Sequence, residues 1–403
     1  MRRRHLLALP ALGLLGSCAS EDAATDPTTA PAPDPTTGSA SDAGGEPSGE
    51  PSTEAPTSKA PSTAQTLLDS LSPREIAGQL VLVGIVQGTA PTRTLGKKHH
   101  VGGYFLLQVW RSAEEVRSAV AAAQEHSRAD LPPLLAVDQE GGKVRMLRGD
   151  AAPKTPDAEQ LGAEGPEAVR AAYSQIGEAL KDLGLHVDLA PVADTVDPEL
   201  GDENAPVGEL DRGFGTDPAT VSACVEAAVQ GLTEHDVAAT LKHFPGLGGV
   251  KENTDHSAEG IIDHGYTRDD PMLTPFRAGI DAGADLVMLS SGIYPRLHEN
   301  IPAMHSRTVV TEILRGDLGF HGLVITDDIG AAKAVATIPV PERVTRVLEA
   351  GGDAVLTADP ALAGEMVDAI QEWAAASPEQ DQRVREAALR MLLLKEKLGL
   401  IGR

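Results

Sequence analysis

A (β/α)₈ TIM-type barrel of the α/β class is predicted for residues 64–403 of this 403-residue chain, on three observations. Eight short apolar runs recur along it, helical patterns separate most of them, and ionisable residues gather at the carboxyl ends of the runs. The runs are continuous rather than alternating, as expected of parallel strands buried on both faces. Eight such units over 340 residues suit a barrel, with a doubly wound open sheet as the second choice.

The runs are GQLVLVGIV (78–86), VGGYFLLQ (101–108), PPLLAVDQEGG (132–142), HVDLAPVADT (186–195), VAATLKHFPG (237–246), ADLVMLSSG (284–292), GLVITDDIG (322–330) and GGDAVLTAD (351–359). Between them, 112–129 and 165–185 place apolar residues at three- and four-residue spacing, the helical period. A last helix, PEQDQRVREAALRMLLLKEKLGL, closes the chain, and no second catalytic domain is expected. Cys224 falls in the apolar helical stretch 217–236 and reads as a buried, inert thiol.

Residues 1–63 are not expected to belong to the barrel. Residues 1–17 carry three arginines and an apolar stretch from Leu6 to Leu15, too short to span a bilayer and fitting an export signal. Leu15-Gly16-Ser17-Cys18 resembles a bacterial lipobox, in which Cys18 is acylated; a plain signal with an incidental cysteine is the alternative. The arginines also permit a twin-arginine route. Residues 18–63 are almost entirely Asp, Glu, Ala, Thr, Pro, Ser and Gly, a composition unable to bury a core, so a disordered tether is expected. The expected location is therefore the outer face of a cell membrane, reached through the lipid alone. The net charge of −25 argues against nucleic acid and against adsorption to anionic lipid or wall polymer.

Polar residues end the strands: Asp138-Gln139-Glu140, Asp194, Lys242-His243, Ser290-Ser291 and Asp327-Asp328. In a barrel these ends converge on one mouth, where active sites sit. Any one of them alone reads as a cap or a satisfied polar residue. The loops after the fourth and fifth runs are also long, a common mark of function.

With AVDQEGGKV (136–144), DLAPVADT (188–195), GELDRGFGTDP (208–218), KHFPGLG (242–248) and GLVITDDIGA (322–331) in this order, the chain resembles glycoside hydrolase family 3, specifically its single-domain bacterial β-N-acetylglucosaminidases. The resemblance covers residues 70–400. It implies Asp327 as the nucleophile that attacks the anomeric carbon, giving a covalent glycosyl-enzyme and net retention. Strand parity agrees, since Asp327 shares the inner face with Ile325 and Leu323, while Asp328 is expected to face the helices. The resemblance also implies Asp138 as acceptor from sugar hydroxyls, and Arg212, Lys242 and His243 as donors to the sugar. An ion-paired barrel rim is the plainer reading of Lys242-His243. A further family arginine is replaced here by Met146, with Arg145 or Arg148 as candidate substitutes.

The family's usual acid/base is an Asp-His pair in Asp-Ser-His on the loop after the fifth strand. Here those positions hold Asn253, Thr254 and Asp255, a pattern similar to a lipoprotein branch found among actinobacteria. Asp255 is the expected general acid/base, His256 the alternative, and a crippled loop the third possibility. The implied activity is a retaining exo-β-N-acetylglucosaminidase acting on cell-wall, peptidoglycan-derived fragments as a monomer. Alternatives are a β-glucosidase or other β-glycosidase, a phosphorylase variant, or a non-catalytic glycan-binding lipoprotein. No metal or other cofactor is expected: the histidines lack ligand spacing, and GLGG is no dinucleotide fingerprint.

Overall fold

The computed structural model describes residues 62–298 and 300–402. The expected signal peptide, Cys18 and nearly all of the expected tether lie outside them.

Eight parallel strands close into a barrel: β1 (Val81–Val86), β2 (Gly103–Leu107), β3 (Leu134–Val137), β6 (Val187–Asp188), β7 (Ala238–Phe244), β8 (Leu286–Leu289), β9 (Leu323–Asp328) and β10 (Ala354–Thr357), with β10 returning to β1. All eight apolar runs become these strands, and the closed ring excludes the open sheet. Between β3 and β6 a small antiparallel hairpin, β4 (Gln139–Gly141) and β5 (Val144–Arg145), stands outside the barrel order. It turns through Gly141 and Gly142, at φ +101° and +51°, a region costly for side-chain-bearing residues.

Strand parity sorts the core into two compartments. Leu82, Phe105, Ala136, Val187, Met288, Leu323, Ile325 and Leu356 fill the barrel interior, and Met391 and Leu394 of the closing helix pack against them. The alternate residues, among them Val83, Val137, Val287, Val324 and Val355, face the surrounding helices. Cys224 lies in that outer layer, buried and without a disulfide partner among the described residues, and burial raises its thiol to about 11. The closing helix, Pro378–Lys397, starts from a Ser377 cap that accepts from the Gln380 amide. Among the described residues no helix is long and apolar enough to cross a membrane.

Candidate active site

Four charged side chains from three segments lock together at the carboxyl end of the barrel. Lys242, on β7 and 1 % exposed, places its ammonium 2.7 Å from Asp138 Oδ1 and 2.6 Å from Glu140 Oε1. Asp138 follows β3, and Glu140 sits on β4. Arg212, from the long loop 189–217, donates Nε and Nη2 to the two oxygens of Glu140 at 2.9 and 2.8 Å, a fork-on-carboxylate pair. Burial pushes the Glu140 carboxyl up, but Arg212 and Lys242 outweigh it and hold the group down at about 2. Burial likewise works against the Lys242 charge, and Asp138 and Glu140 override it, raising its pKa. Both cations therefore stay charged at fixed positions.

His243 is seated by Asp194. One carboxylate oxygen meets His243 Nδ1 at 2.7 Å, and the other accepts the His243 and Leu247 amides at 3.0 and 2.9 Å. His243 Nε2 in turn lies 3.3 Å from Arg212 Nη2. The pairing register of β7 with β8 shifts between Leu241 and Phe244, and Lys242 and His243 both border the mouth. The PGLG turn that follows packs so closely that a side chain at Gly248 would meet the Thr195 carbonyl at 1.6 Å.

The mouth opens into a cavity of about 550 Å³ bordered by Asp138, Arg212, Lys242 and His243 and by Asp255, His256, Asp327 and Asp328. Asp327, near the end of β9, accepts the Asp328 amide at 2.8 Å. Burial, and then the Asp255 charge, push its carboxyl up to about 6, against His243, the Asp328 amide and Lys242. Asp255 is raised as well, by the surrounding protein and then by Asp328, with Arg212 and Lys242 opposing. The Asp255 charge thus helps to lift Asp327, while the acidic neighbours that lift Asp255 are Asp328 and Asp138.

Asp255 is held by backbone. Its amide donates to Asn253 Oδ1 at 2.8 Å, and its carbonyl accepts the Lys333 amide at 3.2 Å. Its neighbour Thr254 is buried and accepts the Ala334 amide at 3.1 Å. The loop after β7 is thus strapped to the loop after β9, the strand that carries Asp327.

The expected site residues Asp138, Arg212, Lys242, His243, Asp255, His256 and Asp327 all border one cavity. Lys242 is ion-paired and borders the mouth, so the two readings of that position coexist. Other expectations need correction. Asp328 borders the cavity instead of facing only helices, although its oxygens are taken by the Gly330, Ala331 and Ala358 amides. Ser290-Ser291 does not line the mouth: Ser290 Oγ bonds Tyr294, and Ser291 is buried. Met146 borders the cavity, whereas Arg145 and Arg148 turn back onto the carbonyls of Gly142, Arg145 and Lys143, so neither replaces the arginine. Two residues escaped assignment, Glu140 and Asp194. Glu140 lies two positions beyond Asp138, so in an extended segment both face the same side. Among the described residues no group of His, Cys, Asp and Glu is arranged to hold a metal.

Residues 73–394 match the family model described as the glycosyl hydrolase family 3 N terminal domain, which spans most of the chain. The chain belongs to glycoside hydrolase family 3. This glycoside hydrolase is 37 % identical over 338 residues to the Stenotrophomonas maltophilia beta-hexosaminidase, covering 80 % of this chain and 91 % of that protein. It superposes on the beta-N-acetylhexosaminidase of Beutenbergia cavernae with a TM-score of 0.77 at 39 % identity, covering 81 % of this chain and 99 % of the other. A glycoside hydrolase family 3 beta-N-acetylglucosaminidase from Paenibacillus is similar at 29 % identity and a TM-score of 0.72, over 83 % of this chain and 64 % of that one. The mouth described above therefore belongs to an enzyme that cleaves glycosidic bonds.

Proposed function

We propose that the protein is a retaining exo-β-N-acetylglucosaminidase that releases terminal β-linked N-acetylglucosamine from peptidoglycan-derived fragments. The observation that carries this reading is the pair of raised carboxyls, Asp327 and Asp255, bordering one cavity with Asp138, Arg212, Lys242 and His243. Ionised Asp327 attacks the anomeric carbon and forms an ester bond to it as the bond to the leaving oxygen breaks. Protonated Asp255 gives that oxygen its proton. Asp255, now ionised, takes a proton from water, whose oxygen displaces Asp327 and restores the starting protonation.

Asp255 is favoured over His256 for this proton because its backbone is pinned on both sides and its charge is among those acting on Asp327. The carboxylates around the cavity also repel phosphate, which favours water as the acceptor over phosphorolysis. The hexosaminidase names of the Stenotrophomonas and Beutenbergia proteins support the choice of sugar. We further infer acylation of Cys18 and anchoring to the outer face of the membrane, from the sequence of residues 1–63.

The test is release of p-nitrophenol from aryl β-N-acetylglucosaminide and from aryl β-glucoside. The reading expects turnover of the first to exceed the second by orders of magnitude and to vanish in Asp327→Asn. Preference for the glucoside makes the protein a β-glucosidase, and no release from either makes it a glycan binder. Membrane fractionation of Cys18→Ser tests the anchor; a variant still in the membrane fraction contradicts it.

A further inference from the structure

The barrel carries a second cavity, of about 540 Å³, that shares no residue with the mouth. It lies at the opposite end of the barrel. Asp353, just before β10, pairs its amide with Val324 near the start of β9. Its carboxylate gathers three guanidiniums: Arg315 from the helix Thr308–Asp317, and Arg383 and Arg390 from the closing helix, the last two at 2.8 and 2.9 Å. The Val324 amide also donates to it. All three arginines border the cavity.

One carboxylate cannot neutralise three guanidiniums. Asp353 is fully buried, whereas the Arg315, Arg383 and Arg390 side chains are 13 %, 18 % and 30 % exposed along the cavity wall, so its single charge is shared among three guanidiniums. Arg307 adds a fourth guanidinium to the wall and has no ion-pair partner among the described residues. Glu349, Glu379 and Glu386 border the same cavity, yet none lies within ion-pair distance of these arginines. Arg383 Nη1 is buried without a hydrogen-bond partner. A buried charged donor in that condition is costly, and arginine forks suit oxyanions. The first turn of the closing helix, through Glu379 and Gln380, brings the positive end of its dipole to the same wall.

We propose that this cavity is an anion site outside the catalytic mouth, built for a small multivalent oxyanion of the phosphate or dicarboxylate class. Such a ligand supplies the acceptors that Asp353 cannot, and it bridges the Thr308–Asp317 helix to the closing helix. The site does not depend on the sugar specificity proposed above.

Trp373 borders the cavity, while Trp110, the other tryptophan, is buried beside β2 with its ring N–H on the Leu107 carbonyl. Tryptophan emission of the full chain is therefore titrated with inorganic phosphate, and separately with malonate, against chloride at matched ionic strength. The expected result is a saturable change that is absent in Trp373→Phe and is not displaced by N-acetylglucosamine. Removal of one charge-assisted donor in Arg390→Gln weakens it about tenfold. Arg307→Gln, which breaks no bond in the fold, weakens it several-fold. Response to both probes marks a general dianion site, and response to one alone marks the class it reads. The proposal is overturned if neither anion gives a saturable change beyond chloride. It is overturned equally if N-acetylglucosamine displaces the signal, or if both arginine variants keep wild-type affinity.

Discussion

Replacing Glu140 with glutamine removes one negative charge from beneath two cations while keeping the shape of the side chain. Glu140 is 3 % exposed and touches both Arg212 and Lys242. Its carboxyl stands at about 2 in the fold against an ordinary 4.5. Because the folded value is the lower one, the ionised group contributes stability above pH 4.5, and that stability is lost as pH falls toward 2. The interval corresponds to about 3 kcal/mol at neutral pH, the same order as breaking a buried ion pair. The neutral amide of Glu140→Gln forfeits this, so urea denaturation at pH 7 is expected to show a loss of about 3 kcal/mol. The difference between wild type and variant narrows by about 2 kcal/mol between pH 4.5 and pH 3, because only the wild type protonates there. A merely structural defect has no such pH signature. The freed Arg212 and Lys242 also lose their fixed positions, so KM for aryl N-acetylglucosaminide rises and kcat falls. Equal stability of the two proteins at pH 7, or a difference that stays constant down to pH 3, refutes the reasoning.

Two further outcomes follow from buried ionisable groups. Lys395 is fully buried on the closing helix, its ammonium donates among the described residues only to Gln79 Oε1 at 2.7 Å, and burial lowers it to about 7 from 10.5. Below pH 10.5 the unfolded chain binds a proton that the fold resists, so stability is lost as pH falls to about 7 and stays low beneath it. Lys395→Met is therefore expected to stabilise the protein by up to about 4 kcal/mol at pH 7, with the gain vanishing toward pH 10.5; a variant less stable at pH 7 contradicts this. In the mouth, the proposed nucleophile Asp327 has to be ionised, so kcat/KM is expected to rise with pH through about 6. Asp255→Asn removes a charge that raises Asp327 and moves the acid limb to lower pH; an acid limb that does not move shows that the two carboxyls do not interact.

The barrel was legible because each strand is buried on both faces and so reads as an unbroken apolar run, as in LVIT of β9. The fourth run shortened to Val187–Asp188, since Pro191 has no amide to donate to a ladder. The β4–β5 hairpin escaped notice because its glycines read only as a turn, yet it places Glu140 beneath both cations. Asp194 was visible as a polar strand end, but its partner His243 lies 49 positions away and no local spacing announces the contact. The strap from Thr254 and Asp255 to Lys333 and Ala334 runs from backbone to backbone, which leaves no side-chain signature at all. The arginine cluster on Asp353 joins residues from two helices and a strand entry, and only the closing of the barrel brings them together.

Asp255→Ala, treated with a dinitrophenyl β-N-acetylglucosaminide and mapped by peptide mass spectrometry, tests the proposed chemistry most directly. A dinitrophenolate leaves without a proton, so the first step proceeds, while hydrolysis of the glycosyl-enzyme lacks its base. The account predicts a sugar ester that accumulates on Asp327 and is discharged by azide as the β-glycosyl azide. An adduct on Asp328, or no adduct in Asp255→Ala while His256→Ala accumulates one, contradicts it.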